Sequence, residues 1–293
     1  MKVAVTTVLD DKYFAGFLIT LNSFLCVTKI KNWDLVILEW GNLRDEYKSI
    51  IKSLYPNTYF RSVETNYYST HQYDTTWRTW TYNCNYRFDI FTFTDYDRVI
   101  FIDSDIIFQL GLEEILEYDV DFAASRAQYD SVVQISTPHG FDGGLMTIGK
   151  KFLNFDTRDK LIEIALQDAP PDVNINSNKW VSDEPILNTY FLDKMSWLPN
   201  QFNHIVATTT FDTFNSPANY QFTGHNKPWY GNTLEEQFSP YVFESISEIV
   251  GNGVQVPLIL KRLLKFYNFH VSYLKDRYDI DVLKYTGYIQ PET

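Results

Sequence analysis

The chain alternates between short apolar runs and amphipathic stretches along most of its length. Continuous apolar or β-branched runs, which are typical of buried strands, occur at residues 3–8, 35–38, 58–63, 98–102, 122–125 and 145–148. Helical spacing of apolar residues occurs at 14–24, 43–54 and 152–167. Strands that alternate with helices predict an α/β fold with a mostly parallel, open sheet.

Three other segments have a different character. Residues 66–87 are rich in Tyr, Thr, Trp and Asn without a clear period, and predict an irregular excursion over the sheet. Residues 170–179 contain Pro, Asp and Asn and predict a loop. Residues 258–267 fit an amphipathic helix that either docks on the rest of the protein or lies on an anionic membrane. Docking is expected, because the helix is short and its polar side has only Lys261, Arg262 and Lys265.

Composition and charge narrow the class of protein. Hydrophobic residues make up 45% of the 293 positions and charged residues 21%, as in a folded globular chain. The 25 basic and 37 acidic residues give a net charge of −12, which argues against a nucleic-acid partner. No apolar run is long enough for a membrane span, and the first residues do not resemble a signal peptide. Cys26 and Cys84 cannot form a disulfide framework, so we expect a reducing, cytoplasmic location.

An acidic pair follows the clearest strand of the sequence. The pattern Asp-x-Asp occurs four times, but only Asp103 and Asp105 directly follow an apolar strand, at 98–102, and precede another apolar run. Ligands of open α/β sheets bind beyond the carboxyl ends of strands, and two carboxylates there suit a hard cation such as Mg²⁺ or Mn²⁺. The alternative is an acidic turn between two strands. The apolar surroundings favour the cation, because buried charges require pairing or a metal.

Several further segments occur in a recognisable order. They are 5–8 followed by Tyr13, then Arg87, 102–105, 141–148, 182–188 and 221–229. In this order and at these spacings they resemble glycosyltransferase family 8, the glycogenin- and galactosyltransferase-type enzymes with the GT-A fold. The resemblance covers about residues 3 to 230. It implies a single Rossmann-like sheet, a nucleotide-sugar donor that is usually UDP-linked, a Mn²⁺ ion, and transfer with retention of anomeric configuration.

The resemblance also implies roles for individual residues. Asp103, Asp105 and Gln221 would bind the metal, which is Mn²⁺ or alternatively Mg²⁺. Asp183 and Asp142 would be the catalytic carboxylates at the transferred sugar. The other residues expected to bind the donor substrate are Thr7, Val8 and Tyr13 at the uracil, Gly224 and Lys227 at the diphosphate, and Arg87, Asp103, Ser104, Gly143 and Glu184.

This sequence departs from the family pattern at three of these positions. Gln221 stands where the family has a metal-binding His, and an amide oxygen binds transition metals less well than imidazole. His225 lies four residues later, out of register for the same role. Asp142 replaces an Asn and Glu184 replaces a Gln, so both changes place extra acid beside the donor sugar. Such a cluster favours a cationic, oxocarbenium-like sugar and raises the pKa of at least one member.

The sequence therefore predicts a GT-A domain at residues 1–240 and a helical C-terminal extension at 241–293. The nucleotide-sugar half of the domain would be about 1–110 and the acceptor half about 111–240. The expected activity is metal-dependent, retaining transfer to a hydroxyl of a glycan or glycoprotein. Two alternatives stay open, a nucleotidyltransferase that makes nucleotide sugars and a non-catalytic sugar-binding protein. Contact with a membrane is not expected, and the sequence indicates neither the donor sugar nor the oligomeric state.

Overall fold

The computed structural model describes most of the segments that carry the predicted elements. The described residues are 1–29, 32–39, 43–63, 86–118, 120–127, 140–167, 183–206, 216–222, 227, 229 and 256–288. The predicted loop at 170–179, nearly all of the excursion at 66–87, Cys84, Gly224 and His225 lie outside these residues.

The described residues form strands and helices in alternation. The strands are β1 (Val3–Leu9), β2 (Asp34–Glu39), β3 (Thr58–Ser62), β4 (Arg98–Ile102), β5 (Ile106–Ile107), β6 (Phe122–Arg126), β7 (Phe141–Gly149), β8 (Ser196–Leu198), β9 (His204–Ile205) and β10 (Tyr220–Gln221). The α-helices are α1 (Phe14–Val27), α2 (Asp45–Leu54), α3 (Phe155–Gln167), α4 (Asp183–Phe191) and α5 (Val256–Tyr278). Short 3₁₀ helices occur at Tyr86–Thr92, Glu113–Glu117, Lys150–Phe152, Asn200–Phe202 and Val282–Tyr288.

Seven of these strands form one sheet in the order β3-β2-β1-β4-β7-β6-β8. The pairs β1–β2, β2–β3, β1–β4 and β6–β8 are parallel, whereas β7 runs antiparallel to both β4 and β6. A smaller sheet, β5-β10-β9, lies beside the end of β4. The prediction of an α/β fold with a mostly parallel sheet is confirmed.

Strand β7 begins earlier than the sequence indicated. The apolar run predicted a strand at 145–148, but β7 starts at Phe141 and therefore includes Asp142, Gly143 and Gly144. The sequence of these residues suggests a turn, yet every residue of the strand is buried. Glycine suits both positions, because the side chains of Arg87 and Gln221 fill the space that a Cβ atom would take.

Aromatic side chains fill the core on both faces of the sheet. On one face α1 is buried from Phe14 to Phe24. On the other face the rings of Phe122 and Phe191 stack with their centroids 4.0 Å apart. Many of the aromatic residues that the structure describes are therefore part of the core.

The C-terminal helix α5 docks against α1, as expected. Leu263, Tyr267 and Leu274 form its buried stripe, with at most 1% of each residue exposed. The amide nitrogen of Asn22 on α1 donates to the Nδ1 atom of His270 at 2.9 Å. Among the helices that the structure describes, none has the length and apolar character required to cross a membrane.

We predict that Leu263→Ala destabilises the protein by about 2–5 kcal/mol, because it removes a fully buried side chain and leaves a cavity between α5 and the core. Leu283→Ala is the matched control, since Leu283 is 59% exposed and its loss should change the free energy of unfolding by less than about 0.5 kcal/mol. Urea denaturation of both variants measures the difference. Equal effects would show that α5 does not contribute to the core.

Candidate active site

The acidic pair Asp103 and Asp105 lies at the carboxyl end of β4, in the middle of the large sheet. The backbone N–H of Asp103 donates to the carbonyl of Gly144 on β7 at 2.8 Å. The carbonyl of Asp105 accepts from the backbone N–H of Phe222, just after β10, at 3.0 Å. Both sheets therefore hold the backbone of the acidic pair where ligands of open α/β sheets bind.

The guanidinium of Arg87 joins three elements of the site. Its Nη1 donates to the carbonyl of Gly143 at 2.9 Å, and its Nη2 lies 3.4 Å from Oδ1 of Asp103. Its Nε lies 2.5 Å from Oδ2 of Asp183, at the first residue of α4. The guanidinium carbon lies 4.7 Å from the centre of the Phe101 ring, a cation–π arrangement. The structure thus brings together Arg87, Asp103, Gly143 and Asp183, which the sequence had assigned to one site.

A chain of hydrogen bonds connects the two carboxylates Asp142 and Asp103. The side-chain nitrogen of Asn203 donates to Oδ1 of Asp142 at 2.7 Å and to Oε1 of Gln221 at 3.0 Å. The Gln221 nitrogen donates in turn to Oδ2 of Asp103 at 2.8 Å. The backbone N–H of Gly144 also donates to Oδ1 of Asp142, at 2.7 Å. Gln221 is therefore adjacent to the acidic pair, as its assignment to the metal site requires.

Lys227 contacts the acidic pair at Asp105. Its ammonium forms a buried ion pair with Asp105 and donates to the carbonyl of Phe222 at 2.9 Å. Two residues later, Trp229 is 1% exposed, and its indole fills the space next to Gly16 on α1. A Cβ atom at position 16 would lie 2.5 Å from the indole, so only glycine leaves room for this anchor. In this way Trp229 anchors the backbone next to Lys227 to the core.

Helix α4 is fixed to the sheet by the amide of Asn188. Its nitrogen donates to the carbonyl of Phe141 at 2.9 Å, and its oxygen accepts from the N–H of the same residue at 2.8 Å. This attachment sets the N-terminus of α4 at the site, where backbone N–H groups interact with the carboxylate of Asp183. Asp183 is consequently both the first residue of the helix and the ion-pair partner of Arg87.

The site buries more negative charge than positive charge. Burial raises the pKa of Asp103 to about 8; the Arg87 charge opposes this effect, while neighbouring carboxylates add to it. Burial likewise raises the pKa values of Asp142 and Asp183, against the opposing effect of Arg87. Burial, followed by the charges of Asp142 and Asp183, raises the pKa of Glu184 well above its usual value. Such a site favours the binding of added positive charge.

The donor set at the acidic pair fits a hard divalent cation. Asp105 is 7% exposed, and its Oδ1 is buried without a hydrogen-bond partner in the described structure. Within the described residues no three His, Cys, Asp or Glu side chains converge into a complete cage. Two carboxylates and several open positions are the arrangement with which Mg²⁺ and similar ions bind phosphate oxygens. Asp103 and Asp105 therefore fit such an ion.

Of the remaining predicted residues, Thr7, Val8, Tyr13 and Ser104 lie within or shortly after β1 and β4. Thr7 is buried and Val8 half-buried near the end of β1, next to β4 in the sheet. Tyr13 is half-buried immediately before α1, and Ser104 is half-buried between the two carboxylates. Gly224 lies outside the described residues. The roles of these residues in binding uracil, sugar and diphosphate stay predictions.

Two residues of the site were not identified from the sequence as part of it. Asn203 belongs to no motif, and its position follows only from the packing of β9 beside β10. Asn188 ends the motif at 182–188, so a signal for its importance was present, but not for its contact with β7.

We predict that Glu184→Gln stabilises the protein, and more so at pH 8 than at pH 4.5. Because the pKa of Glu184 is raised in the folded state, folding keeps a proton that the unfolded chain releases above its usual pKa of 4.5. The stability of the wild type therefore falls as the pH rises above that value, by about 1.4 kcal/mol for each unit between the two pKa values. Glutamine cannot release a proton and escapes this loss.

Thermal unfolding at several pH values measures the effect, and Glu117→Gln, at an exposed position, is the control. A gain in stability that does not change between pH 4.5 and pH 8 would contradict the assignment of a buried, uncompensated carboxyl group at Glu184.

The sequence matches a family profile described as glycosyl transferase family 8 over residues 4–233. Glycosyltransferase GlyF of Streptococcus pneumoniae serotype 4 (strain TIGR4) is 26% identical over 157 residues, which are 50% of this chain and 38% of GlyF. Glycosyltransferase GlyE of the same organism is 31% identical over 121 residues, which are 40% of this chain and 27% of GlyE. The chain matches less than half the length of these curated relatives.

Solved structures show the same fold. The galactosyltransferase LgtC, in complex with donor and acceptor sugar analogues, aligns with a TM-score of 0.60 and 15% identity, over 85% of this chain and 96% of LgtC. The crystal structure of GlyE aligns with a TM-score of 0.58 and 21% identity, over 90% of this chain and 64% of GlyE. These similarities establish the GT-A fold, and the profile match over most of the chain shows that it belongs to glycosyltransferase family 8.

Proposed function

We propose that this chain transfers a sugar, a hexosyl or pentosyl group, from a UDP-linked donor to a hydroxyl of a glycan or glycoprotein, with retention of anomeric configuration. The observation that carries the proposal is the set of contacts made by Arg87 with Asp103, Gly143 and Asp183, inside a family 8 chain. LgtC, whose fold this chain shares, was solved with donor and acceptor sugar analogues.

Asp103 and Asp105 would hold Mn²⁺ or Mg²⁺ through carboxylate oxygens, and Gln221 lies next to them. The bound ion would neutralise charge that develops on the leaving diphosphate. The buried and unpartnered Oδ1 of Asp105 supports this assignment, because a buried carboxylate oxygen without a partner is destabilising. Mn²⁺ and Mg²⁺ both accept an all-oxygen site, so the residues favour neither of them.

Lys227 would contact the donor diphosphate as a point charge. Its ammonium is buried beside Asp105 and is held there by the carbonyl of Phe222. A lysine in this position can bridge a metal-binding carboxylate and a phosphate oxygen, because an ammonium has three donors. Gly224 would approach the same diphosphate with its backbone.

Asp183, Asp142 and Glu184 would surround the transferred sugar. Positive charge develops on the sugar ring as the bond to the diphosphate breaks, and fixed carboxylates stabilise that charge most in the transition state. The ion pair with Arg87 fixes Asp183, and the N–H groups of Asn203 and Gly144 fix Asp142. Both side chains are therefore held in place before the donor binds. This arrangement is compatible with a covalent sugar–enzyme intermediate and with attack of the acceptor on the same face of the sugar.

Thr7, Val8 and Tyr13 would line the uracil pocket at the end of β1. The parallel pairing of β1 with β4 supports this proposal, because it sets the end of β1 beside the acidic pair. A base bound at β1 would then extend its diphosphate towards Asp103 and Lys227.

The two alternative functions predict different measurements. Membership of family 8 argues against a nucleotidyltransferase. A non-catalytic sugar-binding protein would bind nucleotide sugars without releasing UDP. Slow hydrolysis of UDP-sugars that requires Mn²⁺ and stops after chelation would support the enzyme, whereas binding without any hydrolysis or transfer would support the binder.

We predict that Asp103→Ala and Asp105→Ala each reduce Mn²⁺-dependent UDP release by about 100-fold or more, because a bound ion contributes several kcal/mol to the transition state. Asp95→Ala is the matched control, since Asp95 belongs to another Asp-x-Asp pattern and only forms exposed ion pairs with Lys2 and Arg61. Full activity in either site variant would refute the metal assignment.

We also predict that Asp183→Asn lowers the rate of turnover by roughly 100- to 1,000-fold while donor affinity changes much less. Asparagine keeps the size of the side chain and can still accept hydrogen bonds at the N-terminus of α4, so the loss isolates the charge. Single-turnover rates beside donor titrations separate the two effects. Lost binding with an unchanged rate would mean that Asp183 only positions the sugar.

A further inference from the structure

The amides of Asn203 and Gln221 connect Asp142 with Asp103 through a chain of side-chain hydrogen bonds. The side chain of Asn203 is completely buried between the end of the Asn200–Phe202 turn and β9. Its side-chain nitrogen donates to both Asp142 and Gln221, and the side-chain nitrogen of Gln221 donates in turn to Asp103. Asp142, Asn203 and Gln221 are buried, and Asp103 is partly buried.

The carboxylates at the two ends determine which way both amides point. The Oδ1 atom of Asp142 also accepts from the backbone N–H of Gly144, so this oxygen is an acceptor and the amide atom that faces it is nitrogen. Asn203 therefore turns its nitrogen towards Asp142, and the same nitrogen meets the oxygen of Gln221 at 3.0 Å. The nitrogen of Gln221 is left to face Asp103.

Gly144 provides the space for this arrangement. A Cβ atom at position 144 would lie 2.5 Å from both Cδ and Nε2 of Gln221, which is closer than non-bonded heavy atoms come to each other. The carbonyl of Gly144 accepts from the N–H of Asp103, so the same residue fixes the backbone of the acidic pair. The glycine thus allows Gln221 to lie directly against the acidic pair.

We propose that Asn203 holds Gln221 as a hydrogen-bond donor to Asp103, so that Gln221 positions this carboxylate and does not contribute an oxygen to the cation. The inference rests on the proposed cation site at Asp103 and Asp105. In this arrangement the ion would have two protein ligands, and the donor diphosphate would supply further oxygen ligands. For the oxygen of Gln221 to coordinate the ion instead, the amide would have to turn over and break its bond with Asn203.

The two roles of Gln221 predict opposite effects of removing Asn203. If Gln221 positions Asp103, Asn203→Ala releases the amide and weakens Mn²⁺ binding by about 10-fold, as loss of residues that orient metal ligands does. If the oxygen of Gln221 binds the ion, the same change removes a competitor for that oxygen and leaves Mn²⁺ binding unchanged or tighter. The sign of the change decides between them.

The experiment titrates Mn²⁺ into the full chain, without donor and with UDP, and follows the free ion by electron paramagnetic resonance. The variants are Asn203→Ala, Gln221→Ala and the double variant, with Asn200→Ala as an exposed control in the same turn. We expect the Asn203 effect to be absent in the Gln221→Ala background, since the two residues act as one unit. Equal weakening in both backgrounds, or tighter binding, would overturn the proposal.

Gly144→Ala tests the same arrangement without touching Asn203, in case Asn203→Ala does not fold. The added methyl group should displace Gln221 and weaken Mn²⁺ binding, whereas Gly144→Ala should have no further effect in the Gln221→Ala background, where space is available. Unchanged Mn²⁺ binding in the single variant would contradict the role of Gln221. A wild type that binds no Mn²⁺ even with UDP would instead overturn the cation site itself.

Discussion

The buried guanidinium of Arg87 is the interaction on which the rest of the site depends. It is the group that contacts β4, β7 and α4 together, through Asp103, Gly143 and Asp183. Carboxylates of this kind are destabilising in the interior unless they are paired, and removing one partner of a buried pair costs about 3–5 kcal/mol. The acidic residues can therefore lie together only because three elements converge on one planar cation that presents five donors.

Even so, the site is not electrically balanced. Asp103, Asp142 and Asp183 all have raised pKa values, although Arg87 lowers each of them. A site that keeps unneutralised carboxyl groups gives up stability for the ability to attract positive charge. Asp142 and Glu184, two of the three positions at which this chain departs from the family pattern, both add to that imbalance.

The sequence was informative where local pattern decides structure. Apolar runs identified β1, β2 and β4, because strands buried on both faces are continuously apolar. The beginning of β7 was missed, since Asp142, Gly143 and Gly144 have the composition of a turn. At the two glycines, Arg87 and Gln221 occupy the space that a Cβ atom would take. Motif order located Arg87, Asp183 and Lys227 near the acidic pair. The contact of Asn203 with Gln221 depends on the packing of two short strands, which no local pattern encodes.

The C-terminal helix illustrates why an amphipathic pattern does not identify its own partner. The pattern at 258–267 was compatible with a membrane surface and with a protein core, and Leu263 and Tyr267 prove to be buried against the core. The ring of Tyr267 lies 6.4 Å from the indole of Trp229, which anchors the backbone that carries Lys227. Tyr267 on α5 and Gly16 on α1 both lie beside this indole, so both helices contribute to the burial of Trp229. The packing of α5 at the C-terminus is in this way connected, through Trp229, to the position of the Lys227 charge at the proposed donor site.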